Sequence, residues 1–178
     1  LPILCETIRQ MNLENTVVVS PDAGYAKQAR RFGAALGMPV AIGDKTRAAH
    51  DERAEVLEII GEVKGKNALI VDDFTISGGT LVNLAHTLKQ RGVKRIFALL
   101  SHNIISEAGV KRIENSPIEL VVSTDTVINP NIQNNPRFKT ISVAPLFAET
   151  IMRFYNCESI SPLFSSVPGE LFKAGIEL

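Results

Sequence analysis

Short apolar runs alternate with amphipathic stretches along almost the whole chain. Thr16–Ser20, Pro39–Ile42, Ala68–Val71, Arg95–Leu100, Leu120–Ser123 and Thr140–Val143 have the length and residue types of strands, and the run from Ala68 to Val71 is apolar enough to be buried on both faces. Between them the apolar period lengthens to that of helices. Pro2–Gln10 reads as an opening helix, and Ala26, Ala29, Phe32, Gly33 and Leu36 mark a second, closed by Gly37. Leu81, Leu84, Ala85 and Leu88 mark a third that stops near Gly92, and Glu107–Glu114 and Leu146–Tyr155 read as two more. Strands that alternate with helices predict an α/β fold, a largely parallel sheet flanked by helices.

Three segments interrupt the pattern, and function concentrates in such places. Ser20-Pro-Asp-Ala-Gly24 is a strand-to-helix turn; Gly43–Arg53 is dense in charge and reads as a mobile surface loop; in Thr124–Arg137, Asn129-Pro-Asn and Asn134-Asn-Pro break regular structure. The stretch after Phe164 lacks periodic apolar positions, so the expected organisation is one domain over 1–164 and a tail over 165–178.

Composition narrows the classes of function. With 178 residues, 45% of them hydrophobic, the chain supports one sizeable core. Nineteen basic and nineteen acidic side chains cancel, so no global field draws it to nucleic acid or an anionic membrane, and an anionic ligand must be held by local geometry. Cys5 and Cys157 lack the spacing of a zinc site or a disulfide framework, and no apolar run is long enough to span a bilayer; a reducing, cytoplasmic setting is expected. The first residue is Leu1 rather than Met, which suggests a fragment or a processed product.

The richest chemistry lies in Asn67–Thr80, where an apolar run ends on Asp72 and Asp73 and continues as Ile76-Ser-Gly-Gly-Thr80. At a strand-to-helix turn the free N–H groups of the helix N-terminus point outward, and glycines let an anion approach them. Ser77 and Thr80 add hydroxyls. The two acids repel phosphate but accept hydrogen bonds from sugar hydroxyls or hold a hydrated divalent cation. The residues alone also allow a solvated turn with a helix cap.

Three motifs in order carry a family resemblance: Val17-Val-Val-Ser-Pro-Asp-Ala-Gly24, Asp44-Lys-Thr-Arg47 and Val71-Asp-Asp-Phe-Thr-Ile-Ser-Gly-Gly-Thr80. Together they resemble the C-terminal half of ribose-phosphate pyrophosphokinase, the phosphoribosyl pyrophosphate (PRPP) synthetase family, over about residues 1–164, with similar segments at Ser101-His102, Ser123-Thr-Asp-Thr126 and Glu158–Phe164. The resemblance implies a type I phosphoribosyltransferase fold and transfer of the β,γ-pyrophosphoryl group of Mg-ATP to ribose 5-phosphate, giving PRPP and AMP for nucleotide biosynthesis. It implies that Arg47, Asp72, Asp73, Ile76, Ser77, Gly78, Gly79 and Thr80 bind ribose 5-phosphate and that Lys45 and Arg47 are catalytic. Asp22 contacts Mg²⁺ in the family; read alone, it is an ordinary helix cap. The family is homo-oligomeric, and its first half, which nothing here matches, supplies much of the ATP site.

Two positions depart from the family pattern: Ile76 stands where many members have a third acid, and Tyr25 where a small glycine is common. Two other readings therefore stay open: a phosphoribosyltransferase that consumes PRPP, and a non-catalytic binding or regulatory subunit on the same fold.

Overall fold

The computed structural model describes the backbone of residues 1–47 and 55–167 and the side chains of 1–44 and 58–167. In chain order the elements are α1 (Pro2–Gln10), β1 (Thr16–Ser20), α2 (Ala26–Leu36), β2 (Val40–Arg47), β3 (Glu55–Ile60), β4 (Asn67–Thr75), α3 (Gly79–Gln90), β5 (Ile96–Asn103), α4 (Glu107–Glu114), β6 (Ile118–Thr124), β7 (Phe138–Ile141) and α5 (Ala144–Tyr155). The seven strands form one sheet in the order β3-β2-β1-β4-β5-β6-β7. Every pairing is parallel except β2 with β3.

Successive strand residues point to opposite faces, and this splits the core in two. Val17, Val19, Ala68, Ile70, Ile96 and Ala98 face α3 and α4, where they meet Leu81, Leu84, Leu88, Val110 and Ile113. Val18, Leu69, Val71, Phe97 and Leu99 face the other way, onto Ile3, Leu4 and Ile8 of α1 and Ala29 and Phe32 of α2. Both faces are covered, which is why the central strands carry no polar alternation. Gly37 adopts φ 68° after α2, so the helix ends where glycine can take the left-handed conformation.

The structure corrects the expected elements in three places. The segment 43–53 is not a loop throughout: β2 runs on to Arg47 and pairs antiparallel with β3, Lys45 opposite Leu57 and Arg47 opposite Glu55. An edge ribbon is held by backbone hydrogen bonds and needs no buried apolar face, so the residue pattern conceals it. The rest of that segment, 48–54, and the tail from 168 onward lie outside the described residues. The last strand is Phe138–Ile141, two residues earlier than Thr140–Val143, and Val143 is instead the N-cap of α5. Within Thr124–Arg137, a short 3₁₀ turn forms at Pro130–Ile132, braced by Asn129 Nδ2, which donates to the carbonyls of Asn103 and Ile105.

The third correction concerns the acids. β4 continues to Thr75, so Asp72 and Asp73 are strand residues rather than turn residues, and the ladder to β5 persists past them through Phe74 opposite His102. Parallel pairing outlasts the apolar run because it is made by the backbone and is indifferent to side-chain polarity.

Candidate functional site

After β1 the chain enters α2 on one face of the sheet, and after β4 it enters α3 on the other. β1 and β4 are neighbours, so the strand order reverses between them and a crevice opens at their C-terminal ends. The Ser20–Gly24 turn and the Asp72–Thr80 stretch form its two walls. Sequence spacing separates them by about fifty positions; only the parallel β1–β4 pairing, Val18 beside Leu69, brings them together.

One wall is acidic. Asp73 N–H donates to the Asp72 carboxylate at 2.9 Å, and Phe74 N–H donates to the Asp73 carboxylate at 2.8 Å. Burial pushes the Asp72 carboxyl up to about 7; the Asp73 N–H works against that shift, while a side-chain hydrogen bond to Asp73 and the charges of Asp73 and Asp22 reinforce it. Asp72 therefore carries a proton for much of the time near neutrality and can both donate to and accept from a sugar hydroxyl. The opposite wall is set by local bonds: Ser20 Oγ donates to the Asp22 carbonyl at 2.7 Å, and Tyr25 N–H donates to Asp22 Oδ1 at 2.9 Å. Asp22 thus does cap the turn into α2, with its second carboxylate oxygen left over. Tyr25 packs against the core beneath α2, and its phenol is pushed up to about 12, first by burial and then by the charges of Asp72 and Asp73.

The anion cradle follows at once. Gly78 adopts φ 68° and caps α3 without any side-chain hydrogen bond to the helix, so the first-turn N–H groups keep no intrahelical acceptor. Ser77 and Thr80 are exposed there, beside Ile76, which is 56% exposed. Two short bonds shape the loop: Gly78 N–H donates to Thr75 Oγ1 at 3.1 Å and Gly79 N–H to Ser77 Oγ at 3.3 Å. The aligned peptides of α3 add positive potential at the same point, a geometry suited to an anion.

Helix α4 closes the loop from behind. Ser106 caps α4 by accepting from Gly109 N–H, and its own N–H donates to the Ile76 carbonyl at 2.9 Å. Gly109 faces the loop so closely that a Cβ there would stand 2.6 Å from Ile105 Cγ1, 3.0 Å from the Ile76 carbonyl oxygen and 3.1 Å from the Ser77 carbonyl carbon. Gly109→Val should therefore destabilise the chain by roughly 1–3 kcal/mol, as overpacking does. A urea titration compared with wild type measures this, and an unchanged midpoint would show that α4 and the loop can part without cost.

The structure brings Asp22, Asp72, Asp73 and Ile76–Thr80 to one crevice. Lys45 and Arg47 belong to β2, next to β1, while their side chains lie outside the described residues. His102 is the penultimate residue of β5, one strand away, its Nδ1 2.6 Å from Thr126 Oγ1. Asp125 accepts from Val143 N–H at 2.8 Å, which ties it to the start of α5. Two contributors were missed from sequence. Thr75 shapes the loop, and its Thr-x-x-Gly spacing was a usable signal. Arg112, whose Nη1 donates to the Ser77 carbonyl at 2.7 Å, lies 35 positions away and gave none.

Comparison with known proteins places this geometry. The sequence model of the phosphoribosyl synthetase-associated domain family matches residues 48–165. A ribose-phosphate pyrophosphokinase of Thermosipho africanus is 41% identical over 165 residues, covering 92% of this chain and 51% of that protein. Among solved structures, phosphoribosylpyrophosphate synthetase from Mycobacterium smegmatis superposes with a TM-score of 0.74 at 28% identity, over 86% of this chain and 50% of that one. An adenine phosphoribosyltransferase shares the fold with a TM-score of 0.52 at 16% identity, over 67% of this chain and 76% of that one. The chain thus spans about half the length of the curated relatives it matches.

Proposed function

The chain belongs to the phosphoribosyl synthetase-associated domain family, and on that premise we propose that it is the ribose 5-phosphate-binding half of a ribose-phosphate pyrophosphokinase. The observation that carries the reading is the crevice between β1 and β4, where an uncapped helix N-terminus stands beside a carboxyl that titrates near neutrality. The 5-phosphate lies in the loop from Ile76 to Thr80, Asp72 and Asp73 engage the ribose hydroxyls, and Arg47 helps hold substrate phosphate.

In the reaction the 1-hydroxyl oxygen of ribose 5-phosphate bonds to the β-phosphorus of ATP while the bond from that phosphorus to the α-bridging oxygen breaks, and AMP leaves as PRPP forms. Such transfers ask mainly for positioning and charge stabilisation. Lys45 offsets the charge that shifts to the leaving AMP. Carboxylate oxygens are suitable donors for Mg²⁺, with Asp22 its contact; among the described residues no three acids, histidines or cysteines come close enough to hold a metal alone. Asp22 would hold a Mg²⁺ here, and the ion would supply charge neutralisation to the phosphates.

The assembly proposed is homo-oligomeric, as in the family. The outward side of α5, where Phe147, Ile151, Phe154 and Tyr155 are each at least 60% exposed, supports association. A cytoplasmic setting suits this chemistry; among the described residues no helix is long and apolar enough to cross a membrane.

Ile76 favours a second reading, a subunit that binds the phosphosugar without turning it over. Calorimetric titration with ribose 5-phosphate, AMP and PRPP separates the possibilities. Ribose 5-phosphate is expected to bind this chain, and to be consumed with ATP once the first half carried by the relatives is joined to it. Binding without turnover in that joined protein favours the second reading, and release of pyrophosphate from PRPP and a base would favour a phosphoribosyltransferase.

A further inference from the structure

The cradle depends on one peptide unit, Ser77–Gly78, being held in a single orientation. Its N–H donates to Thr75 Oγ1 at 3.1 Å, and its C=O accepts from Arg112 Nη1 at 2.7 Å. The unit is therefore gripped at both ends, and Gly78, in the left-handed region at φ 68°, turns the chain from it into α3. Rotating that peptide would redirect the N–H groups that follow and swing a carbonyl oxygen toward the seat of the anion. Arg112 reaches the loop because Gly109, three residues earlier on the same face of α4, has no side chain to hold the helix away. Its Nη1 also lies 3.6 Å from where a Gly79 Cβ would stand. Arg112 makes no other hydrogen bond among the described residues and is exposed, so its contribution to overall stability is small.

We propose that Arg112 is a positioning residue for the phosphate seat: from behind the loop it pins the Ser77 carbonyl and keeps the N–H groups of the α3 first turn aimed at the 5-phosphate. This rests on the phosphosugar reading of the crevice. A guanidinium suits the task because it is always charged and planar, whereas an ammonium offers charge without a fixed direction. It also offsets the negative end of the Ser77 carbonyl dipole, which otherwise opposes an incoming dianion.

The test compares wild type with Arg112→Ala and Arg112→Lys by calorimetry with ribose 5-phosphate and with inorganic phosphate, by thermal unfolding, and by amide hydrogen exchange of the ligand-free chain. Arg112→Ala is expected to weaken both ligands about tenfold, the loss of one exposed charge-assisted hydrogen bond. Exchange at Gly78, whose N–H is bonded to Thr75 Oγ1, is expected to accelerate while that at Ala98 and Leu99 is unchanged, with the midpoint of unfolding moving by less than about 2 °C. Arg112→Lys is expected to restore only part of the affinity. Ribose 5-phosphate affinity within twofold of wild type in Arg112→Ala, or complete restoration by Arg112→Lys, overturns the proposal. If the wild-type chain binds neither ligand, the phosphosugar reading fails instead, and the exchange rate at Gly78 still decides whether Arg112 pins the loop.

Discussion

Replacing Lys45 with alanine is expected to lower pyrophosphoryl transfer by about 10²–10³-fold, the usual effect of removing a group that stabilises charge in a transition state. Ribose 5-phosphate affinity should stay close to wild type. The expectation follows from where β2 carries the residue. Ile42 pairs with Ser20 at the end of β1, and Lys45 is three residues farther along a strand that rises about 3.3 Å per residue, so it lies about 10 Å beyond the rim of the crevice. From there it can meet charge that develops on the pyrophosphoryl group, while the sugar phosphate sits in the Ile76–Thr80 loop. Steady-state kinetics of the chain joined to the first half of its relatives provides the check, with kcat and KM determined separately. A kcat within about threefold of wild type would remove Lys45 from the chemistry.

Replacing Asp72 with asparagine should give two effects of opposite sign. Above pH 7, where Asp72 is ionised, ribose 5-phosphate affinity is expected to fall about 10- to 100-fold, because a hydroxyl loses its bond to a charged acceptor. Stability, by contrast, should rise above pH 7. Burial and the acids Asp73 and Asp22 hold the Asp72 carboxyl at about 7 in the folded chain, against 3.8 for the free group. Below about pH 4 folded and unfolded chains are both protonated at this position and the substitution changes little. Between about 4 and 7 the folded chain keeps a proton that the unfolded chain has released, so wild-type stability declines as pH rises; above 7 the whole penalty is present. An asparagine side chain never ionises and escapes it. The site is only partly buried and water screens it, so the gain expected at pH 8 is about 1 kcal/mol, or roughly 2–4 °C in the unfolding midpoint, vanishing by pH 4. Equal midpoints at pH 8 would mean that Asp72 ionises without cost. Asp72 thus resembles other binding groups that are kept at some expense to the fold.

Much of the framework was legible from residue pattern. The run from Ala68 to Val71 marked a central strand because a strand covered on both faces must be apolar at every position, and α2 announced its end at Gly37 because few other residues accept φ 68°. The expected helix over Glu107–Glu114 is α4, with Val110 and Ile113 on its buried side. What escaped was whatever backbone pairing alone maintains. β3 follows a charged stretch and is defined by its antiparallel ladder to β2, and the extension of β4 through Asp72 and Asp73 runs against every polarity rule.

The same division holds for the site. Residue types and spacing along one stretch put forward Asp72, Asp73 and Ile76–Thr80 as candidates, since an acid pair and a Ser-Gly-Gly-Thr run are legible among neighbouring residues. They also identified the Asp22 turn, but as a separate feature with two readings. The β1–β4 pairing, which no local pattern encodes, faced the two turns across one crevice; burial there raises the Asp72 carboxyl, and Asp22 on the opposite wall adds a lesser push. Arg112 was invisible for the same reason: its partner is 35 positions distant, and the hydrogen bond exists only because α4 packs against the loop at a glycine. Sequence determined which chemical groups this protein has to offer and the strands and helices that carry them, because those depend on neighbours along the chain; tertiary structure decided which groups meet, because contact between distant segments is a property of the packed sheet.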